Sequence, residues 1–196
     1  MFFSKKTKQA FIFPPKVGTI AARHFLGSIG WHGLHPYHAT AAEFIEKHPA
    51  LNEYTIYGFY RDPVKRFESA VLHCKQFPMG RNVLGKLLQD NGVNKPIEAV
   101  SYNELVDVHD ALVKKFHGLF LPQTHWLGHP KVTALDFTKF EEELRRVTGN
   151  TTQDLGRCNV SSDFGRSEIT PKVIDFVKAH YASDYEFARC ALKIEG

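Results

Sequence analysis

The sequence predicts an α/β fold, a central parallel β-sheet flanked by helices, and three observations predict it. Three runs, Ala10 to Phe13, Tyr54 to Tyr60 and Lys131 to Phe137, have the length and the apolar, β-branched or aromatic content of buried strands. Each passes through a turn into a helix-compatible segment, and strand, turn and helix in repeated succession favour parallel strands joined by helical crossovers. At 196 residues and 43% hydrophobic content the chain is expected to fold as a single domain, residues 1–196, with a sizeable core.

The elements follow in order. Ala10 to Phe13 breaks at Pro14-Pro15 into Lys16-Val17-Gly18-Thr19, and a helix is expected from Thr19 to Gly27. A loop rich in glycine and histidine, Ser28 to His38, leads to a short helix over Ala39 to His48 that Pro49 ends. Tyr54 to Tyr60 runs straight into Arg61-Asp62-Pro63, where Asp62 can cap and Pro63 can open a helix reaching Gln76. Phe77 to Pro96 reads as irregular, with a short helical piece around Val83 to Gln89. Ser101 and Glu104 form a capping-box signal for one amphipathic helix to Phe116, with Leu105, Val108 and Leu112 on one face. Phe120 to Trp126 reads as a loop or helix edge. After the third strand, Thr138 and Glu141 give the same signal for a helix to Val147. Gly149 to Glu168 is polar and turn-rich, a candidate lid, and Thr170-Pro171 opens the closing helices, with Val173, Ile174, Val177, Tyr181, Tyr185 and Phe187 facing inward.

Charge and cysteine usage narrow the function classes. The 25 basic and 21 acidic residues leave a net charge of +4, and only Lys5, Lys6 and Lys8 crowd together. That distribution suits an anionic ligand in a local pocket better than a nucleic-acid track. Cys74, Cys158 and Cys190 form no CxxC pair and are odd in number, which favours structural thiols in a reducing compartment. No apolar run is long enough for a signal peptide or a membrane span, so a soluble cytoplasmic protein is expected.

Two stretches carry the chemistry. In the first, Lys16 to Thr19, free N–H groups at a helix start, the positive end of the helix dipole and an adjacent lysine suit a phosphate or sulfate, and Gly18 lets that group approach the backbone. The lysine precedes the glycine, unlike the Gly-x4-Gly-Lys order of ordinary nucleotide kinases. The plain alternative is a strand-to-helix turn with an exposed lysine. The second stretch runs from Arg61 to Ser69, RDPVKRFES. Arg61 stands at a strand tip and Ser69 about two turns into the helix, a pair suited to a second phosphate through a guanidinium fork and a hydroxyl. Here the alternative is that Arg61 and Arg66 pair with Asp62 or Glu68. In parallel sheets ligands bind beyond the carboxyl ends of the strands, so neighbouring strands would put both motifs at one crevice.

With these two motifs in order the chain resembles the sulfotransferases that use 3′-phosphoadenosine 5′-phosphosulfate, in particular their carbohydrate-type branch. That family has a PK-x-G-S/T-S/T loop for the 5′-phosphosulfate, here Pro15-Lys16-Val17-Gly18-Thr19-Ile20, and an R-D/N-P-x-x-R-F/L-x-S element for the 3′-phosphate, here Arg61 to Ser69. Pro122-Gln123 before an aromatic, Asn159-Val160-Ser161, and Tyr181-Ala182-Ser183-Asp184-Tyr185 echo further family features in family order. The resemblance spans nearly the whole chain. It implies a P-loop-NTPase-like sulfotransferase fold, the phosphosulfate donor as co-substrate, no metal, and a saccharide hydroxyl as acceptor. Lys16, Val17, Gly18, Thr19 and Ile20 then line the 5′ side of the donor, and Arg61 and Ser69 the 3′-phosphate. Ile20 departs from the pattern, since it replaces the second hydroxyl residue of the loop and leaves only its backbone to serve there.

Sulfuryl transfer to a hydroxyl needs a base near neutral pKa and a counter-charge for the leaving phosphate. Lys16 suits the second task. His38 is the candidate base, because the resemblance places a histidine before a short hydroxyl-containing segment, here His38-Ala39-Thr40; His35 and His32 stand behind it. A zinc site at His32, His35 and His38 is disfavoured, because Gly33 and Pro36 oppose the helix that would align them. Trp31, Tyr37 and Trp126 are candidates to stack on adenine or a sugar ring, or else core residues. The competing functions are a Mg²⁺-dependent phosphoryl transferase with Asp136 as its acidic strand end, and a non-catalytic nucleotide- or glycan-binding module.

Overall fold

The computed structural model describes residues 1–36, 38–155 and 165–192. The chain divides into two compact units. The first comprises the described residues of Met1–Arg61, Pro122–Asn159 and Ser183–Gly196, and the second those of Asp62–Leu121 and Val160–Ala182.

The first unit holds a five-stranded sheet. Its strands are β1 (Phe2–Ser4), β2 (Gln9–Ile12), β3 (His32–Gly33), β4 (Thr55–Tyr60) and β5 (Val132–Asp136), in the order β3-β1-β2-β4-β5. β2, β4 and β5 pair in parallel, with Ile12 opposite Gly58 and Gly58 opposite Ala134. The expected all-parallel sheet is corrected at the other side, because β1 runs antiparallel to both β2 and β3. The sheet is therefore mixed. β1 and β2 form a hairpin around Lys5, Lys6, Thr7 and Lys8, where Ser4 Oγ accepts the Thr7 N–H at 3.2 Å. A three-residue strand followed by lysines is too short to declare itself by alternation.

Aromatic packing holds this unit together. Phe11, Phe13 and Phe59 are buried on one side of the sheet with ring centroids 5.9 to 6.2 Å apart. Each buried phenylalanine contributes roughly 1.5–3 kcal/mol over leaving it exposed. The helices α1 (Thr19–Ser28) and α8 (Phe140–Thr148) add Phe25, Leu26, Leu144 and Val147 to the same core. Among the described residues the unit also has α2 (Ala41–Lys47), opened by a Thr40–Glu43 capping box, α7 (Thr124–Leu127) and α10 (Ala182–Leu192). α7 sits close on β4 because residue 58 is glycine, whose place a Cβ could take only by colliding with Leu127 Cδ2. The Thr138–Glu141 capping box does not form. Asp136 accepts the Thr138 N–H at 2.8 Å, opens a 3₁₀ turn over Phe137–Lys139, and delays α8 to Phe140.

The second unit is helical: α3 (Pro63–Gln76), α4 (Pro78–Asp90), α5 (Tyr102–Asp107), α6 (His109–Lys115) and α9 (Pro171–His180). α3 has the expected bounds because Asp62 Oδ1 caps the Lys65 N–H at 2.9 Å and Pro63 fits its first turn. The expected irregular stretch after Phe77 is instead the full helix α4. Pro78 opens it, and Gly80 lets it close on α3, since a Cβ there would stand 3.1 Å from the backbone of Cys74. The single helix expected over Ser101 to Phe116 is two, divided at Val108. No proline or glycine marks that break, and Leu105 and Leu112 stay buried on both sides of it, so the apolar period does not register it. Arg66 is buried and donates to the carbonyls of Leu119 and Leu121, while its guanidinium lies 5.5 Å from the Tyr181 ring. Neither Asp62 nor Glu68 is its partner in those bonds. Glu68 pairs with Arg166 at 2.5 Å. No helix among the described residues is long and apolar enough to cross a membrane.

Candidate active site

The parallel neighbours β2 and β4 end side by side, and the residues that follow them meet in the first unit. After β2 the buried Pro14 and Pro15 lead to Lys16, whose φ of 71° lies in the left-handed region that side chains disfavour. Gly18 follows with φ 77° and caps α1 without a side chain. The first helical bond runs from the Ala22 N–H to the Gly18 carbonyl at 3.0 Å, so the N–H groups of Thr19, Ile20 and Ala21 have no acceptor within the helix. No acidic residue lies in this first turn. Thr19 Oγ1 is buried and has no hydrogen-bond partner among the described residues. Together these are the donors and the field of an anion cradle.

What backs the cradle is aromatic. A Cβ on Gly18 would stand 2.9 Å from Phe140 Cζ and 3.1 Å from Phe137 Cε2, so only glycine fits against those rings. Val17 is buried and can offer a ligand only its backbone. Ile20 is 45% exposed, an apolar side chain where the sulfotransferase loop that this stretch resembles has a hydroxyl.

Arg61 follows β4 and reaches back. Its Nη1 donates to the Lys16 carbonyl at 2.8 Å, and its guanidinium lies 5.0 Å from the centre of the Phe137 ring. The bond pins the left-handed Lys16 and brings the ends of both motifs to one place. Ser69 belongs to the second unit, where it is buried on α3.

His38 joins the same end of β2. Its Nδ1 lies 2.8 Å from the Phe13 carbonyl. A carbonyl only accepts, so Nδ1 carries the hydrogen and the lone pair of the neutral ring sits on Nε2. The side chain keeps an exposed face, yet loss of hydration on its inner edge pushes its pKa below the ordinary histidine value. The Phe13 bond opposes that shift, and nearby positive charge, Lys16 included, adds to it. The ring is accordingly neutral at pH 7. His32 lies on β3 with its ring 5.3 Å from Phe3, and His35 is exposed in the loop before His38.

Three expectations change or fall away. Trp31 and Trp126 are buried and unsuited to stacking on a ligand; Trp31 packs on Phe11, and Trp126 Nε1 donates to the His38 carbonyl at 2.6 Å. Tyr37, Cys158 and the Asn159-Val160-Ser161 echo lie outside the described residues, as does the middle of the polar stretch proposed as a lid. Asp136, the acidic strand end of the kinase-like alternative, caps the turn at Thr138.

Two residues without an expected role stand behind the site. Gln123 Oε1 accepts the Arg61 N–H at 3.0 Å, and its Nε2 donates to the Arg61 carbonyl at 2.7 Å. Asp184 accepts the N–H groups of Gln123 and Thr124 at 2.8 and 2.9 Å. Their sequence signal was the Pro-Gln pair and the aspartate between two tyrosines. What a polar residue does when wholly buried depends on a partner that spacing does not name.

In comparison with known proteins, no family model, curated protein or solved structure matches the chain.

Proposed function

We propose that the protein is a sulfotransferase that uses 3′-phosphoadenosine 5′-phosphosulfate and an acceptor hydroxyl, with a fold of the P-loop type around β2, β4 and β5. The observation that carries this reading is the convergence of the Lys16–Thr19 cradle, Arg61 and the Nε2-basic His38 at the ends of two adjacent parallel strands. The donor fits the residues present: an unpartnered hydroxyl at Thr19 and three N–H groups without helical acceptors suit the oxygens of a phosphosulfate.

The donor supplies an activated sulfuryl group, and transfer forms a sulfur–oxygen bond to the acceptor as the bond to the 5′-phosphate breaks. His38 Nε2 takes the acceptor proton. Lys16 and the α1 N-terminus balance the negative charge left on the phosphate. Arg61 holds the 3′-phosphate. Val17 and Ile20 contribute main-chain atoms alone. A saccharide hydroxyl is the acceptor class, by resemblance, and no metal takes part.

Calorimetric titration with adenosine 3′,5′-bisphosphate and with AMP, in metal-free buffer, tests the reading. At least a tenfold preference for the bisphosphate is expected, on the order of one charge-assisted phosphate contact. Binding of neither nucleotide would overturn it. Binding of the bisphosphate without transfer from labelled donor to a panel of saccharides, phenols and alcohols would favour the binding module. Activity lost on chelation with EDTA would favour a phosphoryl transferase.

A further inference from the structure

We infer that Gln123 and Asp184 are positioning residues that set Arg61 and His38 together through the short helix α7. The inference rests on the sulfotransferase reading for its kinetic consequence and on geometry for its existence. Gln123 and Asp184 are each 0% exposed. A wholly buried carboxamide and carboxylate are costly unless their hydrogen bonds are made, and here the bonds all serve one path.

The path starts at Asp184, in the first turn of α10. Its two carboxylate oxygens accept from the backbone N–H groups of Gln123 and Thr124, which open α7. A helix start has N–H donors without helical acceptors, so the carboxylate fixes where α7 begins and how it is turned. From that start the Gln123 side chain makes a two-bond clamp on the main chain of Arg61, one bond to its N–H and one to its carbonyl. One turn on, Trp126 Nε1 donates to the main-chain carbonyl of His38.

Neither Arg61 nor His38 lies within a regular element, since β4 ends at Tyr60 and α2 begins at Ala41. α7 therefore reaches the main chain of both residues at points that no strand or helix holds. Residues of this kind do not touch the substrates. They restrict where the guanidinium and the imidazole stand, and small misplacements of such groups reduce turnover far more than they reduce stability.

The test uses the full chain and the variants Gln123→Met, Asp184→Asn and Trp126→Phe, with Leu144→Ala, a buried core residue on α8, as the destabilised control. Each is assayed at a temperature where circular dichroism finds it folded. The first readout is the titration of His38 by NMR. Loss of hydration is the leading cause of its depressed pKa, so a loosened ring should titrate closer to the ordinary histidine value in these three variants and unchanged in Leu144→Ala. The second readout is transfer kinetics. Gln123→Met should weaken bisphosphate binding at least tenfold, and Trp126→Phe should lower kcat at least tenfold with donor KM unchanged. An unshifted His38 titration in all three variants, or equal losses in Leu144→Ala, would overturn the inference. A wild type that binds no bisphosphate would remove the sulfotransferase reading, and the His38 titration would still decide for or against the positioning path. A variant that does not fold is replaced by Gln123→Glu, which keeps the acceptor toward the Arg61 N–H and loses the donor toward its carbonyl; wild-type titration and binding in it would count against the path.

Discussion

Arg61 Nη1 donates to the main-chain carbonyl of Lys16 at 2.8 Å and so ties the end of β4 to the end of β2 across 45 residues of sequence. The bond anchors a cation by its own guanidinium and restrains a lysine in a backbone conformation that disfavours side chains by about 1–2 kcal/mol. Arg61→Lys should lose both effects, because an ammonium is a compact point charge without a planar fork. Affinity for adenosine 3′,5′-bisphosphate is expected to fall by about ten- to a hundredfold, the worth of one hydrogen bond to a charged group. Unchanged affinity in calorimetry would remove Arg61 from the phosphate site.

On the sulfotransferase reading, His38 as base gives the transfer its pH dependence. Only the neutral ring accepts a proton at Nε2, and burial of its inner edge places its titration below the ordinary histidine value. The kcat/KM profile should therefore rise through an acid limb whose midpoint is below that of a free histidine, and stay level through pH 7. His38→Ala and Lys16→Ala should each abolish most turnover, roughly a hundredfold or more. An acid limb that survives in His38→Ala would show that another group is the base.

Ile20 offers a gain-of-function test. Its side chain is exposed at the start of α1, so Ile20→Ser changes little in the core and introduces the hydroxyl of the loop that this stretch resembles. Donor affinity should improve by about two- to tenfold, the value of one neutral hydrogen bond, with thermal stability within about 0.5 kcal/mol of wild type. Weaker donor binding in the variant would indicate that the apolar side chain itself contacts ligand.

Gly18→Ala should damage structure and binding together. The residue has φ 77°, and the added Cβ would press on Phe137 and Phe140. The left-handed backbone alone costs about 1 kcal/mol or more, and displacing the rings adds to it. A lowered Tm with lost bisphosphate binding is expected, and a variant of unchanged Tm would contradict the close packing of the cradle on these rings.

In the second unit, His109 is buried against Phe67, Phe120, Phe176 and His180, with Nε2 3.2 Å from the Tyr181 hydroxyl. Burial, with a smaller contribution from His180, lowers its pKa from 6.5 to about 4. The unfolded chain therefore binds more protons than the native state between those values. Stability is unaffected above about pH 6.5, falls as the pH drops towards 4, and levels off below it, for a total of roughly 3 kcal/mol from this group. Urea unfolding at pH 7 and pH 4.5 should show the loss, and His109→Phe should remove most of it.

The amino-acid sequence by itself determined several helix starts and named the residues of the candidate chemistry. Asp62-Pro63 and Ser101 with Glu104 act within four residues, so the helix starts they make are present where spacing puts them. The sequence likewise named the cradle and Arg61, because left-handed glycine, helix N-terminus and strand tip are properties of short segments. Only the tertiary structure decided the rest. β1 entered the sheet antiparallel because a partner strand, and not its own three residues, stabilises it. Arg66 turned inward to two carbonyls, and Trp126 became a main-chain donor in place of a stacking surface. Gln123 and Asp184 acquired their bonds from residues about sixty positions away. A buried polar group is stable only with its partners, and those partners are chosen by how the elements pack, which no local pattern records.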